Sequence, residues 1–231
     1  MISLQKALTS TVGKKVLMAV SGLSLVLFVI VHLLGNLTLY KADGAPFNAY
    51  AHALDSLGAL KCIAEYGLIA VFGLHIYTGI TVKARNSSAR PVSYKMVQSK
   101  GGPSLSNPAS RNMIISGVAI LGFLILHIWQ FRFGPGIQAG YVTQIKGEEV
   151  RDLHRLVVET FKNPLYTTIY SVVMLFLGAH LRHGFWSAFQ SLGAMNARLT
   201  KSFYAVGLAL AVVLAAGFLF IPVWIYFGGV Q

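Results

Sequence analysis

Apolar residues run through the chain in five long stretches, approximately 16–39, 62–82, 112–131, 165–189 and 203–227, separated by segments rich in Gly, Pro, Ser and charge. A hydrocarbon core about 30 Å thick takes roughly 20 mostly apolar helical residues, and each stretch reaches about that length. The pattern predicts an all-α chain, a single transmembrane domain over residues 1–231 folded as a five-helix integral membrane bundle. The turn-rich stretches at 41–46, 85–108, 134–147 and 191–201 read as loops. Between 148 and 161, Val150, Leu153, Val157 and Phe161 recur at helical spacing with charge on the other face, which predicts a surface helix lying on the outer leaflet.

Composition agrees with a lipid setting. Apolar residues make up 55% and charged residues only 11% of the 231, outside the range of a soluble globular domain. The lone cysteine, Cys62, rules out an intramolecular disulfide, a thiolate-ligated iron–sulfur cluster and a cysteine zinc site within this chain. The first apolar run follows Lys14 and Lys15 as a signal sequence would, but it ends without a small-residue cleavage site and reads as a retained span.

Charge orients the bundle. Lys6, Lys14, Lys15, Lys83, Arg85, Arg90, Lys95, Lys100, Arg111, Arg182, Arg198 and Lys201 fall on one side of the five spans. Lys41, Lys61, Arg132, Lys146, Arg151, Arg155 and Lys162 fall on the other, together with all seven acids. The net +12 therefore belongs to one face, which the positive-inside rule makes cytoplasmic, with the N-terminus inside and the C-terminus outside. That rule accounts for the basic face without nucleic acid, and the face suits lipid contact or a docked soluble partner.

Ionisable groups inside spans are costly and mark candidate sites. At about 1.5 Å per residue, His32 lies roughly 25 Å from the inner end of its span and His127 about 24 Å from Arg111. The second and fourth spans run the other way: His75 stands only about 12 Å from Lys83, and His180 lies about 24 Å below Pro164. Two histidines thus fall at one depth and two at another, each pair drawn from two different spans. Two haems, each held between two imidazoles, need that arrangement. A single intramembrane histidine is equally explained by a hydrogen bond across helices; four at matched depths favour haem.

Gly35, Gly79 and Gly184 each lie three or four residues from a histidine, on its side of the helix, where a flat macrocycle needs space; close helix packing through small residues is the alternative. His183, three residues from His180, competes with it as a ligand. Its depth matches His75 less well, and with Arg182 it is placed to meet haem propionates, although Arg182 could also simply snorkel. His52 and His154 fall outside the spans and read as solvated.

The stretches Phe28–Asn36 (FVIVHLLGN), Gly73–Asn86 (GLHIYTGITVKARN) and Leu177–Gly193 (LGAHLRHGFWSAFQSLG), with Asn48–Gly58 (NAYAHALDSLG) as a first outer loop, resemble the di-haem, five-helix cytochrome b subunit of succinate:quinone oxidoreductases and fumarate reductases. The resemblance covers nearly the whole chain. It implies two haem b groups, the inner one ligated by His75 and His180 and the outer one by His32 and His127. It further implies a bacterial cytoplasmic membrane location and a complex able to oligomerise. In that complex a flavoprotein subunit oxidises succinate, an iron–sulfur subunit relays electrons, and menaquinone or ubiquinone reacts in the membrane anchor. Some relatives that oxidise menaquinol carry a glutamate two residues before the ligand on the fourth span; here that position is Gly178.

The chain has no Gly-x-Gly-x-x-Gly flavin fingerprint and too few cysteines for clusters, so both partner subunits are expected to supply these and to dock on the basic face. Quinone chemistry also needs a proton-exchanging group near a membrane face, and Asp55 and His52 on the outer side are the candidates, with Glu65 nearby. Asp55 and Glu65 could equally cap or solvate helix ends. Two other readings remain: the cytochrome b subunit of a hydrogenase or formate dehydrogenase, and a haem-free proton-coupled transporter.

Overall fold

A computed structural model describes residues 3–41, 43–89 and 112–230; Arg90, Lys95, Lys100 and Arg111 lie outside the described residues. The described chain is predominantly helical. Helix α1 (Leu4–Thr9) leads into α2 (Thr11–Asn36), which continues as a 3-10 turn to Tyr40. There follow α3 (Ala45–Asp55), α4 (Ala59–Ser88), α5 (Met113–His127), a hairpin of β1 (Val142–Ile145) and β2 (Glu148–Arg151), α6 (Leu153–Lys162), α7 (Pro164–Ser191) and α8 (Thr200–Tyr226).

Among the described residues, five helices are long and apolar enough to cross a membrane: Thr11–Tyr40, Ala59–Ser88, Met113–Arg132, Pro164–Ser191 and Thr200–Tyr226. Each contains one expected span or nearly all of it, and four run longer. The shortest, 20 residues, reaches about 30 Å, the thickness of the hydrocarbon core. Local chemistry sets their ends. Ser10 starts α2 by accepting the Gly13 N–H at 3.0 Å, Asn163 starts α7 by accepting the Leu165 N–H at 2.9 Å, and Pro164 occupies the first turn, where its missing N–H costs nothing. After His127 the helix widens into a π-helical segment over Ile128–Arg132.

Successive long helices are antiparallel. Along α2 and α4, Ser21 meets His75 and Phe28 meets Phe72; along α5 and α7, Ser116 meets His180 and Phe123 meets Tyr170. Helix α2 packs on α4 and α7, α5 packs on α7, and α8 lies along α7. The first four spans thus follow the order α4, α2, α7, α5, with α2 diagonal to α5 and α4 diagonal to α7. The buried core runs through Leu33, Leu181, Leu214, Ile221 and Ile225 on the α2–α7–α8 side. Helices α4 and α5 bury almost none of their apolar length within the chain, leaving Ile63, Ile69, Ile80, Ile115 and Val118 exposed, a surface suited to hydrocarbon.

One end of the bundle is capped by α3, the hairpin and α6, and the seven acids collect there. The surface helix expected over 148–161 is corrected to α6, Leu153–Lys162; residues 148–151 form β2 instead. Lys146 and Gly147, with φ of 52° and 84°, turn the chain back so that Val142 pairs with Arg151, the positive-φ pair that two-residue hairpins demand. Asp152 then starts α6 by accepting the Arg155 N–H at 3.0 Å. The face of α6 expected to be apolar does turn inward, burying Leu156, Val157 and Phe161.

Candidate functional site: two histidine couples across the bundle

The four span histidines meet in twos across the two diagonals. His32 on α2 and His127 on α5 have ring centroids 5.8 Å apart, and His75 on α4 and His180 on α7 have theirs 6.3 Å apart. The contacts give the spacing of the two levels. On α2, His32 stands eleven residues beyond Ser21, which touches His75; on α5, His127 stands eleven beyond Ser116, which touches His180. At 1.5 Å per residue both intervals are about 16 Å.

Hydroxyl groups contact three of the four imidazoles. Ser116 Oγ lies 3.1 Å from His180 Nδ1, and Ser21 Oγ lies 3.4 Å from His75 Nδ1. Each hydroxyl already donates its hydrogen backwards along its own helix, Ser21 to the Leu17 carbonyl at 2.7 Å and Ser116 to the Met113 carbonyl at 3.1 Å. With its hydrogen placed on that carbonyl, each serine oxygen is an acceptor for an imidazole Nδ1–H, the tautomer that leaves the Nε2 lone pair free. At the other level, the Tyr170 hydroxyl lies 3.5 Å from His127 Nδ1 and donates to Gln130 Oε1 at 2.6 Å. Phe28 and Phe218 flank His32, and Phe123 and Phe131 flank His127.

Ser116, Tyr170 and Gln130 carry no expectation from the sequence. A signal was present, since the dipeptide Ser-Gly occurs in the first span at 21–22 and in the third at 116–117. The glycine reading divides. Nothing lies within 4 Å of a Cβ built on Gly79 or Gly184, so neither glycine packs closely against another helix of the chain. Gly35 is corrected: the Tyr50 ring of α3 packs directly on it, so the missing side chain admits a neighbouring helix. Gly178 likewise serves packing, since its Cβ would stand 3.0 Å from that of Ala215. His183 joins neither couple; its ring lies against Trp186, centroids 5.1 Å apart, and its Nδ1 is buried without a hydrogen-bond partner.

The ligand count bears on what the couples could hold. Among the described residues there is no group of three or more His, Cys, Asp or Glu able to hold a metal ion, whereas structural zinc takes four protein ligands. Two imidazoles alone suit a metal whose remaining positions are filled by a macrocycle. A metal–imidazole bond of about 2 Å on each side puts two such rings about 6 Å apart, centre to centre. Both couples have that spacing, and the residues present fit a bis-imidazole haem at each level.

At the capped end, a cavity of about 330 Å³ is lined by His52, Asp55, Lys61, Glu65, Arg132 and Arg151, among others. Both expected proton-exchanging residues, His52 and Asp55, line it. Asp55 pairs with Lys61 at 2.5 Å, Lys61 with Glu65 at 3.6 Å, Glu65 with Arg132 at 3.3 Å, and His52 with Glu148 at 3.4 Å. Phe131 lines the same cavity and lies 5.3 Å from the His127 ring, so one aromatic ring separates the cleft from that couple. Arg151 donates to the carbonyls of Phe131, Gly134 and Pro135 at 2.8, 3.1 and 2.9 Å, tying β2 to the end of the π-helical segment.

His154 corrects the expectation of a solvated side chain. It is 7% exposed, with Nε2 buried and unpartnered, and its ring fits against Gly44, whose φ is 65°. Burial lowers its pKa below the usual 6.5, partly opposed by Asp152 and Asp43. Asn48 locks the region by donating to Asp152 at 2.8 Å and accepting the His154 N–H at 2.9 Å. Comparison with protein-family models, with curated proteins and with solved structures finds no match for this chain.

Proposed function

We propose that this chain is the cytochrome b membrane anchor of a succinate:quinone oxidoreductase-type complex, carrying electrons between an iron–sulfur partner subunit and membrane quinone. The observation that supports it most directly is the meeting of four histidines as two couples, 5.8 and 6.3 Å between ring centroids, on opposite diagonals of the bundle. A proton-relay transporter has no need of two imidazoles at metal-sharing distance at each of two levels. When bound, each haem supplies reversible one-electron chemistry.

His75 and His180 hold the group nearer the basic end, and His32 and His127 the group nearer the capped end. Phenylalanine rings flank the His32–His127 couple, where they exclude water and keep the dielectric low. Arg182 and the buried, unpartnered Nδ1 of His183 are the donors available for propionates at the basic end. That end, carrying Lys6, Lys14, Lys15, Lys83, Arg85, Arg198 and Lys201, faces the bacterial cytoplasm and receives the iron–sulfur and flavoprotein subunits, consistent with the positive-inside rule. Quinone reacts at the opposite end, in the cavity beside Phe131, where His52 and Asp55 exchange protons with water through the ion-paired cluster.

The test is haem quantification and a reduced-minus-oxidised visible spectrum of the purified full-length chain. Two haems per chain with sharp α-bands are expected, and His32→Ala, His75→Ala, His127→Ala and His180→Ala should each remove one. A chain that binds no haem in any preparation refutes the reading and returns the histidines to proton relay.

A further inference from the structure

The His75–His180 couple is seated from both sides by the same dipeptide. Ser21-Gly22 lies on α2 beside His75, and Ser116-Gly117 lies on α5 beside His180. In each case the serine oxygen stands at Nδ1, and the following glycine leaves room for the ring: a Cβ on Gly22 would lie 3.1 Å from His75 Cε1, and one on Gly117 would lie 3.7 Å from His180 Cε1. Both serines are buried, at 3% and 5% exposure, where a polar side chain persists only with partners. Both have a backbone carbonyl of their own helix within reach of the hydroxyl hydrogen, at 2.7 Å for Ser21 and 3.1 Å for Ser116, which leaves the oxygen able to accept from the imidazole.

We propose that Ser21 and Ser116 are positioning residues that fix His75 and His180 in the Nδ1–H tautomer and turn the two Nε2 atoms toward a shared metal. The inference rests on the haem reading given above and adds what sets the electronic character of one couple. An imidazole that donates from Nδ1 to a fixed acceptor is a more basic ligand through Nε2, which favours the oxidised metal and lowers its potential. Ser116 holds the shorter contact. At His75 the Met18 carbonyl also faces the ring, so part of the hold survives there without Ser21. Among the described residues the His32–His127 couple has no serine seat, and it serves as the internal reference.

The experiment is a redox titration with optical detection of both haems in the purified full-length protein, comparing wild type with Ser21→Ala, Ser116→Ala and Ser116→Thr. Ser116→Ala is expected to raise the potential of the haem at the His75–His180 couple and shift its α-band, with the other haem unchanged. Ser21→Ala should do the same to a smaller extent, and Ser116→Thr, which keeps a hydroxyl, should stay with wild type. Potentials unmoved by Ser116→Ala, equal shifts of both haems, or a threonine variant that behaves as alanine would each overturn the proposal. Nitrogen-15 NMR of histidine-labelled, haem-free chain reads the tautomer directly. Nδ1–H resonances for His75 and His180, with that of His180 changing to Nε2–H in Ser116→Ala, support the seat even if the haem reading fails, and an Nε2–H wild type sinks it.

Discussion

His75 on α4 and His180 on α7 face each other across a diagonal of the bundle, 6.3 Å between ring centroids, although 105 residues separate them in the chain. Neither helix packs substantially on the other; each reaches its partner's level through an intervening neighbour, α2 for both. The two imidazoles thus meet across α2, from helices that do not pack side by side.

This geometry separates the two histidines of α7. His183→Ala is expected to retain both haems, because its ring packs on Trp186 and belongs to neither couple, whereas His180→Ala should lose one. Pyridine haemochrome assay of the two purified variants decides between them; the reverse result would move the ligand by three residues.

Arg151 is the clasp between the hairpin and the end of the span that carries His127. Its three hydrogen bonds to backbone carbonyls involve a charged donor, and losing them should cost about 2 kcal/mol or more. Arg151→Ala is expected to lower the thermal unfolding temperature in detergent. Arg151→Lys should recover only part of the loss, since an ammonium cannot reproduce the planar fork.

Buried His154 makes the cap sensitive to acid. Its pKa is lowered in the folded chain, so below the usual value of 6.5 the unfolded segment binds the proton more readily than the folded one. The stability of the cap is then fully present above pH 6.5 and declines as pH falls toward the folded pKa. Hydrogen exchange of α3 and α6 measured from pH 7.5 to 5 should show increasing opening. His154→Gln should flatten that slope.

Gly35 and Tyr50 form a packing lock between α2 and α3. Gly35→Ala puts a methyl group into the Tyr50 ring and should cost on the order of 1–3 kcal/mol, the usual range for overpacking. Tyr50→Ala made in the same chain should remove most of that penalty. A double-mutant cycle on thermal stability measures the coupling, and strict additivity would show that the ring yields freely.

The five spans were legible in the sequence because a helix surrounded by hydrocarbon needs an uninterrupted apolar length, a property of composition alone. The levels of the four histidines were equally legible, since the helical rise converts residue number into depth. Rise says nothing about azimuth, however, so only packing decided that His32 turns toward His127 and His75 toward His180, and that Ser21 and Ser116 lie behind two of them. The cap shows the same division: the apolar face of α6 was readable from its period, yet His154 became buried and Gly35 became a seat for Tyr50 because α3 folds back over the bundle. Depth was therefore set by the chain itself. Facing, burial and hydrogen-bond partnership were decided by contacts between segments distant in sequence, which no local pattern encodes.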